Sequence, residues 1–93
     1  MIKDRLTSEV ASIILRYVKS YKGLLTLVSD ESKINRSEFN VRGLSQMKLH
    51  RLLRILSVLG LELRGNDFQK MMDEIRDTIT DYVDKYDFTL LDE

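Results

Sequence analysis

The stretch Val28-Ser29-Asp30-Glu31-Ser32-Lys33-Ile34-Asn35-Arg36-Ser37-Glu38-Phe39 decides how this chain reads. Its spacing suits two short helices joined by a tight turn. Val28 on the first helix packs against Ile34 in the turn, and Phe39 on the second helix closes a three-way apolar contact. Asn35 followed three residues later by Glu38 has the form of an N-cap with its capping-box partner. The spacing therefore predicts a helix from Arg36 to about Arg42, with Phe39 inward and Gly43 as its stop. Small polar and basic residues at the start of that helix are left pointing outward.

Working outward, the chain has no Pro and four Gly, at 23, 43, 60 and 65, each where an apolar periodicity ends. These are helix C-cap and turn positions, and the segments between them read as helices. The first runs from about Asp4 or Ser8 to Lys22, with Leu6, Val10, Ile13, Ile14, Tyr17 and Tyr21 on one face. Leu24 to Ser32 has the composition of a short strand in its first half. Asp30-Glu31-Ser32 and the flanking helices favour a helix.

Downstream, Ser45 is a good N-cap for a helix carrying Leu49, Leu52, Leu53, Leu56 and Leu59. Ile55 and Val58 widen that stripe, which predicts a central, well-buried helix closed by Gly60. Leu61-Glu62-Leu63-Arg64 alternates and is a candidate short strand, with Gly65-Asn66 as a turn. A last helix then runs from Asp67 to about Tyr86. In it Phe68, Met72, Ile75, Ile79, Tyr82 and Tyr86 recur at heptad a/d spacing, flanked by Met71 and Val83. Such a seam serves docking on the domain, dimerisation, or both.

Composition excludes more than it selects. In 93 residues there is no Cys and one His, His50, so thiolate chemistry is absent and any imidazole chemistry rests on one ring. No paired acid/base constellation, Gly-rich phosphate loop or metal-ligand spacing stands out. We expect no enzyme, no cofactor and no metal. Asp73, Asp77, Asp81 and Asp84 lie along one face of the last helix, but carboxylates on a single helix rarely wrap an ion without a loop. No apolar run approaches the ~18 residues of a membrane span. The mixed charges of residues 1–5 are unlike a signal peptide, so a cytoplasmic protein is expected.

The net charge of zero hides an asymmetry. Residues 1–60 carry eleven Lys/Arg and five acids, a net +6; residues 61–93 carry four and ten, a net −6. Between residues 33 and 54 there are six bases and one acid. The two parts of the chain are thus suited to different partners.

The 28–39 pattern resembles the lambda-repressor-like, Xre/Cro-type helix-turn-helix family. The run Met47-Lys48-Leu49-His50-Arg51-Leu52-Leu53-Arg54-Ile55-Leu56-Ser57-Val58-Leu59 is similar to that family's fourth helix. Its ending, Leu59-Gly60-Leu61-Glu62-Leu63, has the form found in Hip-type antitoxins, where the following strand contributes to a dimer. The resemblance covers about residues 14–64. Two positions differ: the family usually has Ala where Ser29 stands and Gly where Lys33 stands, and a Lys at positive φ costs roughly 1 kcal/mol relative to Gly.

The resemblance implies an all-α, four-to-five-helix domain over residues 1–65, with a possible short strand at 61–64. An acidic C-terminal helix follows in 66–93. It also implies a sequence-specific DNA-binding regulator, antitoxin- or phage-repressor-like, whose recognition helix at about 36–42 enters the major groove. Arg36, Ser37 and Asn40 fall on the readout positions. Arg suits guanine and Asn suits adenine. Lys33, Asn35, Arg42, Ser45 and Lys48 suit phosphates. A homodimer is expected, with Leu61, Leu63, Phe68, Met72, Ile75, Ile79, Tyr82 and Tyr86 as the dimer or partner seam. The acidic face leaves room for a basic protein partner such as a toxin. The rival reading is an all-helical interaction module or inhibitor that uses the 68–86 helix and never touches DNA.

Overall fold

The computed structural model describes residues 2–86, with side chains from 5 to 84. The described chain is all-helical: α1 (Ile2–Val18), α2 (Leu24–Ser32), a 3-10 turn (Arg36–Glu38), α3 (Val41–Ser45), α4 (Leu49–Glu62) and α5 (Asp67–Tyr86). α1 packs on α3 and α5, and α2 packs on α4. Ala11, Ile14 and Val18 bring α1 into the core. There they meet Leu24 and Val28 of α2, Leu44 of α3, Ile55 and Leu59 of α4, and Met71 and Ile75 of α5. Ile34 and Phe39, from the connecting segments, complete the cluster.

α2 and α5 occupy the expected ranges. α1 stops earlier than expected, at Val18. The Ser20 hydroxyl donates to the Tyr17 carbonyl at 2.6 Å, and Gly23 takes a left-handed conformation at φ 85°, so residues 19–23 form a turn. Tyr21 is drawn out of the helical face to bridge this turn to the one before α5. Its hydroxyl donates to Asp67 at 2.5 Å and accepts from the Arg64 N–H at 3.0 Å. The Arg64 guanidinium lies 4.5 Å from the centre of the Tyr21 ring.

Other expectations are corrected. The helix expected over 36–42 is broken in two, a 3-10 turn and then α3, because two asparagines each start a turn. Asn35 Oδ1 accepts from the Ser37 N–H at 3.0 Å, and Asn40 Oδ1 accepts from the Gly43 N–H at 2.8 Å. Asn40 itself is extended (φ −145°, ψ 170°), and a side chain that bonds nearby backbone competes with helix continuation. Gly43 is no stop but lies inside α3, pressed on the preceding turn. A Cβ there would stand 2.2 Å from the Glu38 carbonyl oxygen. Ser45 ends α3, and Lys48 is the N-cap of α4.

There is no strand at 61–64 among the described residues. α4 runs through Gly60 to Glu62, because Leu52, Leu56, Leu59 and Leu63 continue a helical period that the local alternation obscures. Finally, α4 is not wrapped on all sides. Ile55 and Leu59 are buried, while Leu49 and Leu53 stand 70% and 53% exposed. No described helix is long and apolar enough to cross a membrane.

Candidate nucleic-acid interface

The connection between α2 and the 3-10 turn is built around the expected apolar contact. Val28, Ile34 and Phe39 are all buried in one cluster. Lys33 makes the turn in the left-handed region at φ 59°, ψ 38°, and its N–H donates to the Ser29 carbonyl. The chain is locked there by Ser29, whose hydroxyl donates to the Ile34 carbonyl at 2.6 Å while its carbonyl accepts from the Ile34 N–H at 3.1 Å. One turn on, the Ser32 hydroxyl donates to the Val28 carbonyl at 2.6 Å. Both buried hydroxyls are therefore satisfied. Ser29 thus gives the turn a bond that an Ala could not make, opposing the left-handed strain at Lys33.

The 3-10 turn is held from the other side by α4. Both Arg51 guanidinium branches donate to the Glu38 carboxylate, at 2.9 and 2.8 Å, a bidentate pair with fixed geometry. The hydrogen bonds from Arg51 hold the Glu38 carboxyl below the usual glutamate range; desolvation opposes them, and the Arg51 charge and the Asn35 backbone N–H add to the lowering. Glu38 thus clamps the turn to α4 while its carboxylate also feels the Asn35 backbone N–H, the reciprocal bond of the expected capping box.

Around this frame the expected DNA contacts divide. Lys33, Arg36, Arg42 and Lys48 are exposed, and no ion pair engages them among the described residues. Arg36 sits at the start of the 3-10 turn and Arg42 in the first turn of α3. Ser37 is exposed, with its N–H on Asn35. Asn35 is occupied as that cap. Asn40 is occupied at both ends of its amide, its Oδ1 on Gly43 and its Nδ2 donating to the Ser37 carbonyl at 2.8 Å. A two-point contact from Asn40 to adenine would cost both bonds. The Ser45 hydroxyl donates back to Arg42 at 3.1 Å and is half-buried. The structure therefore leaves four cations between residues 33 and 48 exposed and outside any ion pair among the described residues, and turns the asparagine amides onto the backbone to shape the segment.

Comparison with known proteins comes back empty. No family model, curated protein or solved structure matches this chain.

The expected dimer seam also divides. Met72, Ile75 and Phe68 pack into or against the core, and Tyr82 is buried. Leu63 packs against the core as well. Leu61 is 82% exposed, and Ile79 is partly open. The Tyr86 side chain lies outside the described residues. α5 is thus used first for docking. Glu74 accepts from the Tyr17 hydroxyl and from Arg16, and these bonds, Tyr17 first, lower its carboxyl below the usual range. The acidic face stays in solvent at Asp81 and Asp84, while Asp73 and the exposed Asp77 both pair with Arg76 on the same helix, at 3.6 and 3.4 Å. Among the described residues, no group of three or more His, Cys, Asp or Glu is arranged to hold a metal ion. Sequence reasoning missed the exposure of Leu49, Leu53 and Val83. A leucine stripe that wraps past one helix face was the available signal.

Proposed function

We propose that this protein is a DNA-binding regulator of helix-turn-helix type, working as a homodimer. One observation carries the reading. The buried Val28–Ile34–Phe39 contact, turned at Lys33 and clamped by Glu38–Arg51, frames a stretch from residue 33 to 48 in which Lys33, Arg36, Arg42 and Lys48 are all exposed. A rigid turn with clustered cations suits the register-setting contacts to phosphate that dominate affinity for duplex DNA. Arg36 and Arg42 are the side chains available for guanine edges. Readout in this reading comes from the 3-10 turn and α3, not from a continuous helix over 36–42, and Asn40 shapes the reader without touching bases.

The test is titration of duplex DNA from upstream of the protein's own gene, across a salt series, beside Arg36→Ala, Arg42→Ala and Lys48→Ala. Affinity should fall steeply with salt, by about 0.9 in log–log slope for each phosphate neutralised. Lys48→Ala should shallow that slope by about one and weaken all sequences alike, whereas an arginine that reads a base should cost roughly 1–3 kcal/mol on the preferred site alone. Absence of binding at the ~100 µM level typical of weak non-specific contacts, together with capture of a basic protein by the exposed Asp77, Asp81 and Asp84 face, would favour the interaction-module reading instead.

A further inference from the structure

The first half of α1, the α3–α4 connection and α5 at Ile79 line an apolar cavity of about 300 Å³. Its floor is formed by residues that the core buries, Ala11, Ile14 and Leu44, and its rim by the exposed Leu49 and Ile79. That volume is at the small end of the range for ligand pockets, roughly 300–1,000 Å³.

A polar cavity of about 530 Å³ adjoins it, and Thr7 and Ser45 line both. The polar one adds Ser8 from α1, and Arg42 and Gln46 from α3 and its C-cap. Among the described residues, Arg42 is the one charged side chain lining either cavity. It is exposed and engaged in no ion pair among those residues. The Ser45 hydroxyl, at the boundary of the two cavities, is already given to the Arg42 carbonyl, so it steadies the backbone that carries the guanidinium.

Apolar walls that end at a lone guanidinium select a molecule of the same two-part form. A hydrocarbon chain gains by leaving water for the cavity. A carboxylate at its end meets parallel N–H donors on Arg42, whereas a cation there would be repelled and a neutral chain would leave the arginine unused. We propose that the paired cavities bind a small amphipathic carboxylate of the medium-chain fatty-acid class. Its chain lies against Ala11, Ile14, Leu44 and Leu52, and its carboxylate on Arg42. The same arginine is offered to DNA in the function proposed above. On that reading, the bound carboxylate competes with DNA for Arg42 and acts as an effector.

Titration of the full chain with octanoate in the absence of DNA, followed by amide and methyl NMR, tests the site. Octanoate should saturate with a Kd of about 1 mM or tighter, shifting the signals of Thr7, Ala11, Leu44 and Leu52 first. Octanol, the chain without the charge, should bind at least about threefold more weakly, and acetate, the charge without the chain, should not saturate. Arg42→Gln should weaken octanoate by roughly three- to tenfold and leave octanol unchanged. Val10→Phe, which fills the cavity from α1, should weaken both, with circular dichroism to show that the fold is kept. Equal affinity for octanoate and octanol, or an octanoate affinity indifferent to Arg42→Gln, overturns the carboxylate site. So does failure to saturate at about 10 mM, tenfold above the expected limit. A dimer that Leu49→Asp dissociates would then assign the cavity to a second copy. If octanoate binds and duplex DNA does not, this site stands and the DNA reading falls; if DNA binds and octanoate does not, the reverse holds.

Discussion

At the scale of single residues, Lys33 and Gly43 carry the two strictest demands on the backbone. Lys33 holds a left-handed conformation at φ 59° that glycine would adopt without strain. Gly43 admits no Cβ at all, because the Glu38 carbonyl oxygen already occupies its place. The two substitutions should therefore move stability in opposite directions. Lys33→Gly should stabilise the fold by about 1 kcal/mol, while weakening DNA binding if the ammonium holds a phosphate. Gly43→Ala should destabilise by roughly 1–3 kcal/mol, since backbone must shift to admit the methyl group. Denaturant unfolding monitored by circular dichroism reads both. A Lys33→Gly variant less stable than wild type would show that its side chain contributes more than its backbone costs.

At the scale of elements, two carboxylates tie helices together and give the fold a pH signature. Glu38 bonds Arg51 across the 3-10 turn and α4, and Glu74 bonds Tyr17 and Arg16 across α5 and α1. Both carboxyls lie below the usual range when folded. A lowered folded value contributes stability that is complete above the unfolded value, about 4.3 for glutamate. That stability is lost as pH falls through the folded value. Tyr17 and Tyr21 are raised, each first by its bond to a carboxylate. Their contribution is complete below about 10 and is lost as pH rises through the raised values. The melting temperature should therefore decline below about pH 4.3 and again above about pH 10, and Glu38→Gln and Glu74→Gln should each flatten the acid limb. An acid limb of unchanged depth in both variants would place the acid sensitivity elsewhere.

The same elements show what was legible in the sequence. α5 was readable because a 4-3-4-3-4 apolar period over Phe68–Tyr86 has no competing interpretation, and α2, strand-like in its first half, because Asp30-Glu31-Ser32 and the flanking helices favour a helix. The segment 36–42 was not, because Asn35 and Asn40 serve equally as helix caps and as polar surface residues, and only geometry shows both amides turned to the backbone. The alternation in Leu61–Arg64 imitates a strand over four residues, too few to set a period of 2 against one of 3.6. Of the candidate site, the resemblance named Lys33, Arg36, Arg42 and Lys48, and all four are exposed. The exposed strip at Leu49 and Leu53 did not, since leucine spacing alone does not say which side of a wide stripe meets the core.

At the scale of the whole molecule, polar ties hold both ends of the helical assembly. Tyr21 joins the turn after α1 to the turn before α5 through Asp67 and Arg64, and Glu74 joins the same two helices one step inward. At the opposite end, where α3 leads into α4, Arg51 clamps Glu38 of the 3-10 turn, and Leu44 of α3 is fully buried. Local opening should follow burial. Native-state amide exchange should be slowest near Ile14–Val18, Ile55–Leu59 and Met71–Ile75, and faster by about one to two orders of magnitude in the exposed stretch from Arg64 to Asn66, consistent with sub-global opening where few buried contacts must break. Uniform protection along the chain would contradict this.

The phenol of Tyr21 thus does more than join two turns. By bonding Asp67 and the Arg64 N–H from one side chain, it makes the connection after α1 and the connection before α5 a single junction. Arg42, proposed above to face DNA, lies instead beside Thr7 and Ser8 in the first half of α1, so DNA bound there as proposed would load the fold away from that junction.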